Sequence, residues 1–262
     1  MNAQQQSPGK YANINGLKLY YEIYGTGNPL ILLHGGGSTI KTTYGRIIPE
    51  LQKKHKVIAI ELQAHGHTAD INRPLSFEQD ADDVASLLQQ LDISKADFFG
   101  FSNGGTTSLQ IAIRHPKLVN KLILASTTYK REGMQPGFFE AMQNATLATM
   151  PKPLQESYLE INPDPKGLQT MFERDVARMR SFKDISDDLI QSIVAPALVI
   201  NGDSEVVRVE HALMLSRKLP HAELTILPGG HGDYIGEICA ANQGSKIPVL
   251  LIAIIDEFLK KP

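Results

Sequence analysis

Short, continuous apolar runs recur along this chain with room for a helix between most of them: LILL (30–33), VIAI (57–60), DFFGF (97–101), LVNKLILA (118–125), ALVI (197–200) and ELTIL (223–227). A strand that is apolar on both sides of its pleat must be covered on both faces, which is the situation in parallel sheets packed between helices. The intervening segments carry the other periodicity. The clearest opens at Ser76, with Gln79 in the capping-box position, and puts Phe77, Ala81, Val84, Leu87, Leu88 and Leu91 on one face. Helices are also predicted over 44–53, 103–115 and 208–218, and IPVLLIAII (247–255) starts a closing helix. Ahead of the first buried run, residues 11–14 and 17–24 flank Asn15-Gly16, a hairpin signal. The pattern predicts an α/β fold: a mainly parallel sheet of about eight strands with helices on both faces.

One interval breaks the rhythm. Residues 128–190 contain no buried strand run, yet carry Met134, Phe138, Phe139, Met142, Met150, Met171, Phe172 and Met179 among several prolines. They are read as a helical cap inserted after the sixth strand, leaving 1–127 and 191–262 as the core. The cap's methionines and phenylalanines are first of all packing faces; those that roof a cleft would favour an apolar ligand over a sugar.

Composition narrows the partners. The chain has 262 residues, 42% hydrophobic and 21% charged, with net charge −2 and no run of like charges, so a basic patch for nucleic acid or membrane surfaces is not expected. The lone Cys239 cannot form an internal disulfide and is read as a small apolar filler. The polar opening MNAQQQSPGK lacks the features of a secretory signal, and 247–255 is too short to span a bilayer, so a cytoplasmic location is the default. His65-Gly66-His67 lacks a third ligand at sensible spacing, so no metal and no other cofactor is expected, and a structural role is preferred. His55, His115, His211 and His221 fall near element ends and are expected to be exposed.

Two motifs carry chemistry. Gly100-Phe101-Ser102-Asn103-Gly104 matches GxSxG where a strand should turn into a helix; such a turn lifts a nucleophilic hydroxyl clear of the sheet beside free helix N–H groups. His34-Gly35-Gly36-Gly37 follows LILL, and a glycine loop there presents bare backbone N–H groups to a developing oxyanion. The donor assignment is Gly36, with Gly35 as the alternative, beside Asn103. No GK[ST] follows, which disfavours a Walker-type phosphate loop.

HGGG after one strand and GFSNG after a later one resemble the α/β-hydrolase superfamily over nearly the whole chain outside the cap. The resemblance implies a serine-nucleophile, carboxylesterase-like member, with an acid after a late strand and a histidine after the last. ALVINGDSE supplies Asp203, with Glu205 as the reserve acid, and ILPGGHGDY supplies His231. Ser102 would then be the nucleophile, His231 the general base and Asp203 its orienting acid. Glu61 stands where the family usually has aspartate and Ala64 where it usually has glycine, which puts that loop's conformation in question.

The expected function is hydrolysis of a carboxylic ester or related acyl compound with an apolar moiety, through an acyl-serine and without a cofactor. Alternatives on the same residues are lactone hydrolysis, carbon–carbon bond hydrolysis and cofactor-free peroxidation or perhydrolysis; the alternative of another class is a non-catalytic small-molecule receptor. Phe101, Phe138, Met142 and Met171 are the candidates to touch the small-molecule substrate. A homodimer is left open.

Overall fold

The structure, a computed structural model, describes residues 9–261, so nearly all of the polar opening segment lies outside the described residues. The strands are β1 (Lys10–Ile14), β2 (Leu17–Tyr24), β3 (Pro29–Leu33), β4 (Lys56–Glu61), β5 (Ala96–Phe101), β6 (Val119–Ala125), β7 (Ala197–Gly202) and β8 (Ala222–Leu227). They form one sheet in the order β1-β2-β4-β3-β5-β6-β7-β8. The β1–β2 hairpin pairs antiparallel to β4, and every pairing from β4 to β8 is parallel. Each apolar run read from the sequence lies in a strand, extended by at most two residues except that β6 starts one later.

Because side chains alternate along a strand, the runs feed two separate cores. Ile31, Leu33, Ile58, Ile60, Phe98 and Leu122 pack on one face against α3 (Phe77–Gln90), α4 (Asn103–Arg114) and α9 (Val209–Lys218). Leu30, Leu32, Val57, Ala59, Phe99 and Ile123 pack on the other against α1 (Ile40–Tyr44), α2 (Ile48–Leu51) and α10 (Ile247–Lys260). The single helix expected over 44–53 is two short ones, α1 and α2, the first starting earlier at a capping box between Thr39 and Thr42. Ser76 caps α3 as expected, its side chain accepting the Gln79 N–H.

Between β6 and β7 lie α5 (Phe138–Gln143), α6 (Lys152–Ile161), α7 (Pro165–Arg180) and α8 (Asp187–Gln191), with no named strand among them. This helical insertion forms two small apolar clusters, each joined by one buried residue from outside it, Ala64 or Phe77. Met171 belongs to one of them, fully buried with Met150, Leu154, Tyr158 and Leu168. It faces its neighbouring helices, so it does not line the cleft as the sequence reading expected. No described helix is long and apolar enough to cross a membrane.

Three other expectations are corrected, the first being His55, which is largely buried against Asp256 with its side chain 12% exposed. His211 is buried, its Nε2 accepting the Tyr129 N–H at 3.2 Å and its ring lying 4.8 Å from that of Tyr129, because α9 turns its first residues inward under the start of the insertion. Cys239 is exposed, on the loop after His231. Ala64, where the family usually has glycine, sits at φ 70, a left-handed conformation glycine would take at less cost.

Candidate active site

The site lies at the carboxyl ends of β3, β5, β7 and β8, the edge where open α/β sheets bind ligands. Ser102 leaves β5 at φ 54, ψ −118 and immediately precedes α4. That strained turn is held because the Ser102 N–H donates to the Ala125 carbonyl at 2.8 Å, while its own carbonyl accepts from Gly105. It also needs glycine on both sides: a Cβ on Gly100 would collide with the Gly104 carbonyl, and one on Gly104 with the Leu33 carbonyl. The tight approach of α4 to β3 and β5 thus dictates GxSxG locally.

His231 follows β8, and its Nδ1 lies 2.6 Å from Glu205 Oε2. The acid predicted for this place, Asp203, does not reach the ring. Its Oδ1 accepts the Gly229 N–H at 3.0 Å and its side chain is exposed. The physical reason is that β7 runs two residues beyond ALVI to Gly202, so Asp203 begins the turn facing solvent while Glu205 folds back beneath the histidine. Glu205 is held from its other oxygen by the Gly202 N–H at 2.6 Å and Ser126 Oγ at 2.9 Å, and Ser126 is bonded in turn to the buried Tyr234 hydroxyl. A carboxylate fixed this way keeps the proton on Nδ1 and leaves Nε2 free to accept another.

The glycine loop after β3 is aimed from both ends. His34 Nδ1 lies 2.7 Å from the Gly35 carbonyl and its Nε2 accepts the Leu62 N–H at 3.1 Å, a pattern that fits one neutral tautomer. Burial, with His65 adding to it, pushes this imidazole down to about 3, so it stays neutral. Fixing the Gly35 carbonyl orients the peptide plane that carries the Gly36 N–H. The N–H groups of Gly35, Gly36 and Asn103 meet no acceptor among the described residues, whereas that of Gly37 is taken by Asp175 Oδ2 at 2.6 Å. Gly36 and Asn103 are neighbours: a Cβ on Gly36 would lie 2.5 Å from Asn103 Nδ2.

Ser102, His231, Gly36 and Asn103 line a cavity of about 390 Å³, roofed by Phe138, Met142, Met150, Phe172, Val176 and Met179 of the insertion. Among its described lining residues there is no lysine or arginine, and Asp175 is the one carboxylate. Phe138 and Met142, two of the substrate-contact candidates, lie on this cavity's lining. Phe101 does not line this cavity; it packs beside His231 at 4.7 Å between ring centres and lines a second cavity of about 370 Å³ that shares Gly36, Ser102 and His231 with the first. The HGH segment is spent on paired carboxylates: His65 Nε2 lies 2.9 Å from Asp175 Oδ2 on α7, and His67 Nδ1 2.8 Å from Glu61 Oε2. No group of three or more metal-ligating side chains occurs among the described residues. Asp175 had no sequence signal beyond being an acid within a helix.

A serine on a strained strand–helix turn, a carboxylate-backed histidine after the last strand and a bare glycine loop, on this sheet order, define an α/β-hydrolase-type site. The chain belongs to the alpha/beta hydrolase fold family, whose model matches residues 28–187. It is 28% identical over 251 residues to the dihydrolipoyllysine-residue acetyltransferase component of an acetoin cleaving system from Pseudomonas putida, covering 87% of this chain and 65% of that protein. It is 34% identical over 132 residues to a 2-hydroxymuconate semialdehyde hydrolase from Pseudomonas sp. (strain CF600), covering 47% of this chain and 46% of that one. Among solved structures, that of Est816, described as an N-acyl homoserine lactone degrading enzyme, superposes with TM-score 0.73 at 28% identity, covering 94% of this chain and 99% of the other.

Proposed function

We propose that this protein is a serine hydrolase that cleaves neutral carboxylic esters or lactones bearing an apolar acyl part. Ser102 is the nucleophile, His231 the general base and Glu205 the acid that orients it; residues 128–190 act as the cap. The observation that carries the reading is the 2.6 Å contact between His231 Nδ1 and Glu205, with His231 and Ser102 lining one apolar cavity.

In the reaction, Ser102 Oγ attacks the carbonyl carbon as His231 Nε2 takes its proton, and the carbonyl oxygen becomes an anion facing the N–H groups of Gly36 and Asn103. Collapse expels the alkoxide, which leaves with the proton from His231, and water then hydrolyses the acyl-Ser102 by the same relay. Preorganised donors of this kind are typically worth about 10²- to 10³-fold each in rate.

The absence of lysine and arginine from the described cavity lining, with Asp175 present, favours uncharged substrates. A substrate carboxylate would be desolvated there without a partner. That weighs against the carbon–carbon hydrolase reading where the substrate carries a carboxylate, and the likeness to the lactone-degrading Est816 agrees with a neutral acyl ligand.

The test is turnover of chromogenic esters and of lactones of graded acyl length, beside dicarboxylate half-esters and a Ser102→Ala control. Saturable hydrolysis of neutral substrates, lost in the control together with fluorophosphonate labelling, is the expected result. Equal turnover by wild type and control, or preference for the half-esters, defeats the reading.

A further inference from the structure

We propose that Asp175, on the cap helix α7, is a positioning residue for the oxyanion loop, so that the hydrolase's transition-state stabilisation depends on the cap being seated. This rests on the hydrolase reading above. Asp175 Oδ2 accepts the Gly37 N–H at 2.6 Å and meets His65 Nε2 at 2.9 Å. Its Oδ1 is bonded to Arg178 Nη2, one turn along the same helix, and Arg178 Nη1 reaches Asp80 Oδ2 on α3 at 2.8 Å. One carboxylate thereby joins the cap, the loop after β4, α3 and the glycine loop.

The bond acts on the peptide next to the one that carries the Gly36 N–H. The Gly37 N–H belongs to the plane that follows Gly36, and Gly37 sits at φ +65, so the loop has little conformational preference of its own there. His34 fixes the preceding plane through the Gly35 carbonyl. With Asp175 on one side and Asn103 on the other, Gly36 is held between the elbow and the cap: a Cβ on it would lie 3.2 Å from Asp175 Oδ2.

Stability alone is a poor account of this cluster. Buried ion pairs seldom stabilise a fold more than apolar side chains of similar size would, and α7 already has apolar contacts through Leu168, Met171 and Met179. The position is also electrostatically awkward, since a carboxylate close to a developing oxyanion opposes it. Burial raises the Asp175 carboxyl, but the neighbouring His65 and Arg178 charges and the bonds from His65 and the Gly37 N–H outweigh it and hold the group well below the ordinary carboxylate range. The charge is kept and balanced on the spot, which strengthens the hydrogen bond it accepts from the Gly37 N–H.

Positioning and charge predict opposite signs, which makes the test sharp. Asp175→Asn removes an anion near the oxyanion, so a pure charge effect leaves kcat unchanged or raises it. Positioning lowers kcat by about 10- to 100-fold, as expected for a sub-ångström misplacement of a donor, with KM within about 3-fold. Two ketone inhibitors of the same chain length separate this from a loosened cap. A trifluoromethyl ketone, which adds to Ser102 as a tetrahedral adduct, should lose affinity by the factor seen in kcat/KM; the plain methyl ketone, which resembles the ground state, should change less than about 3-fold. Thermal unfolding establishes that the variant is folded. If it is not, Arg178→Lys, which keeps the charge but cannot fork between Asp175 and Asp80, should give the same pattern at about 3- to 10-fold. Loss of both inhibitors by one factor, or undiminished kcat, overturns the proposal while wild-type turnover stands; a wild type that neither turns over esters nor binds the trifluoromethyl ketone overturns the hydrolase reading with it.

Discussion

On the sheet side of the cleft three polar groups are aimed by partners: Glu205 by Gly202 and Ser126, His231 by Glu205, and the Gly35 carbonyl by His34. On the side of the insertion the cleft is bounded by methionine, phenylalanine and valine side chains from α5, α7 and the segment between them, and α5, which brings Phe138 and Met142, has no fully buried residue. Hydrogen bonds fix direction, whereas apolar packing fixes little beyond volume. The floor is therefore suited to holding one geometry and the roof to admitting a range of apolar groups. Asp175 is the exception, a roof residue bonded like a floor residue.

The widest gap between the two regions is expected at the nucleophile. Ser102→Ala should lower kcat by about 10⁵-fold or more, with KM for a neutral ester within about 3-fold, because the hydroxyl is used in the chemistry and little in binding. Single-turnover kinetics with labelling by a fluorophosphonate measures this. A residual rate of a tenth of wild type would mean that the floor does not hold the nucleophile.

The next largest effect separates two acids that share one turn. Glu205→Gln should reduce kcat by about 10³- to 10⁴-fold, since the histidine loses both its tautomer and the charge that stabilises its protonated form. Asp203→Asn should remain within about 3-fold, because its carboxylate serves only the exposed Gly229 N–H. Kinetics of the pair measured side by side decides the assignment, and the reverse ranking would restore Asp203.

That pair also marks where the sequence stops being legible. The strands are readable because an apolar run such as LILL or ALVI states its burial directly, and the elbow is readable because Gly100 and Gly104 are forced by backbone approach. Asp203 and Glu205 lie in one polar turn, and which of them faces inward depends on β7 continuing through Asn201 and Gly202, residues with weak strand preference. Met171 and Met142 have the same character in sequence, yet one is sealed inside the insertion and the other reaches the cleft, because that is settled by how the inserted helices pack on one another. Asp175 is the extreme case. Beside Arg178 on its own helix, its partners Gly37 and His65 lie 138 and 110 residues away in the chain, and no local pattern encodes those two.

A third contrast lies at the base of the cap, where His211 supports its first residues from the core. Burial first, with Lys130 next, pushes the His211 imidazole down to about 4, below the ordinary 6.5. A lowered histidine favours the neutral fold, so its contribution is fully present above the unfolded value and is lost as pH falls from about 6.5 toward 4. The loss is on the order of 3 kcal/mol over that window. His65, raised by Asp175 in spite of burial, contributes with the opposite sign, most at low pH. Chemical denaturation between pH 7 and 4.5 should show wild type losing stability on the acid side, and His211→Gln, whose amide can still accept the Tyr129 N–H, losing less. Equal slopes in the two proteins would place the acid sensitivity elsewhere.

The smallest effect is the one expected of the roof. Met142 is half-buried, on the edge of α5, and lines the cleft without a polar partner of its side chain among the described residues. Met142→Ala should raise KM for the longest acyl ester that wild type accepts by about 3- to 10-fold, the scale of one or two methylene contacts, and leave kcat within about 2-fold. An acetate ester, too short to reach α5, should be unaffected in both constants. Kinetics across the acyl series measures the split. If kcat for the acetate ester fell with the rest, the roof would be shaping the transition state through more than Asp175, and the division between a directing floor and an accommodating roof would have to be redrawn around α5 as well.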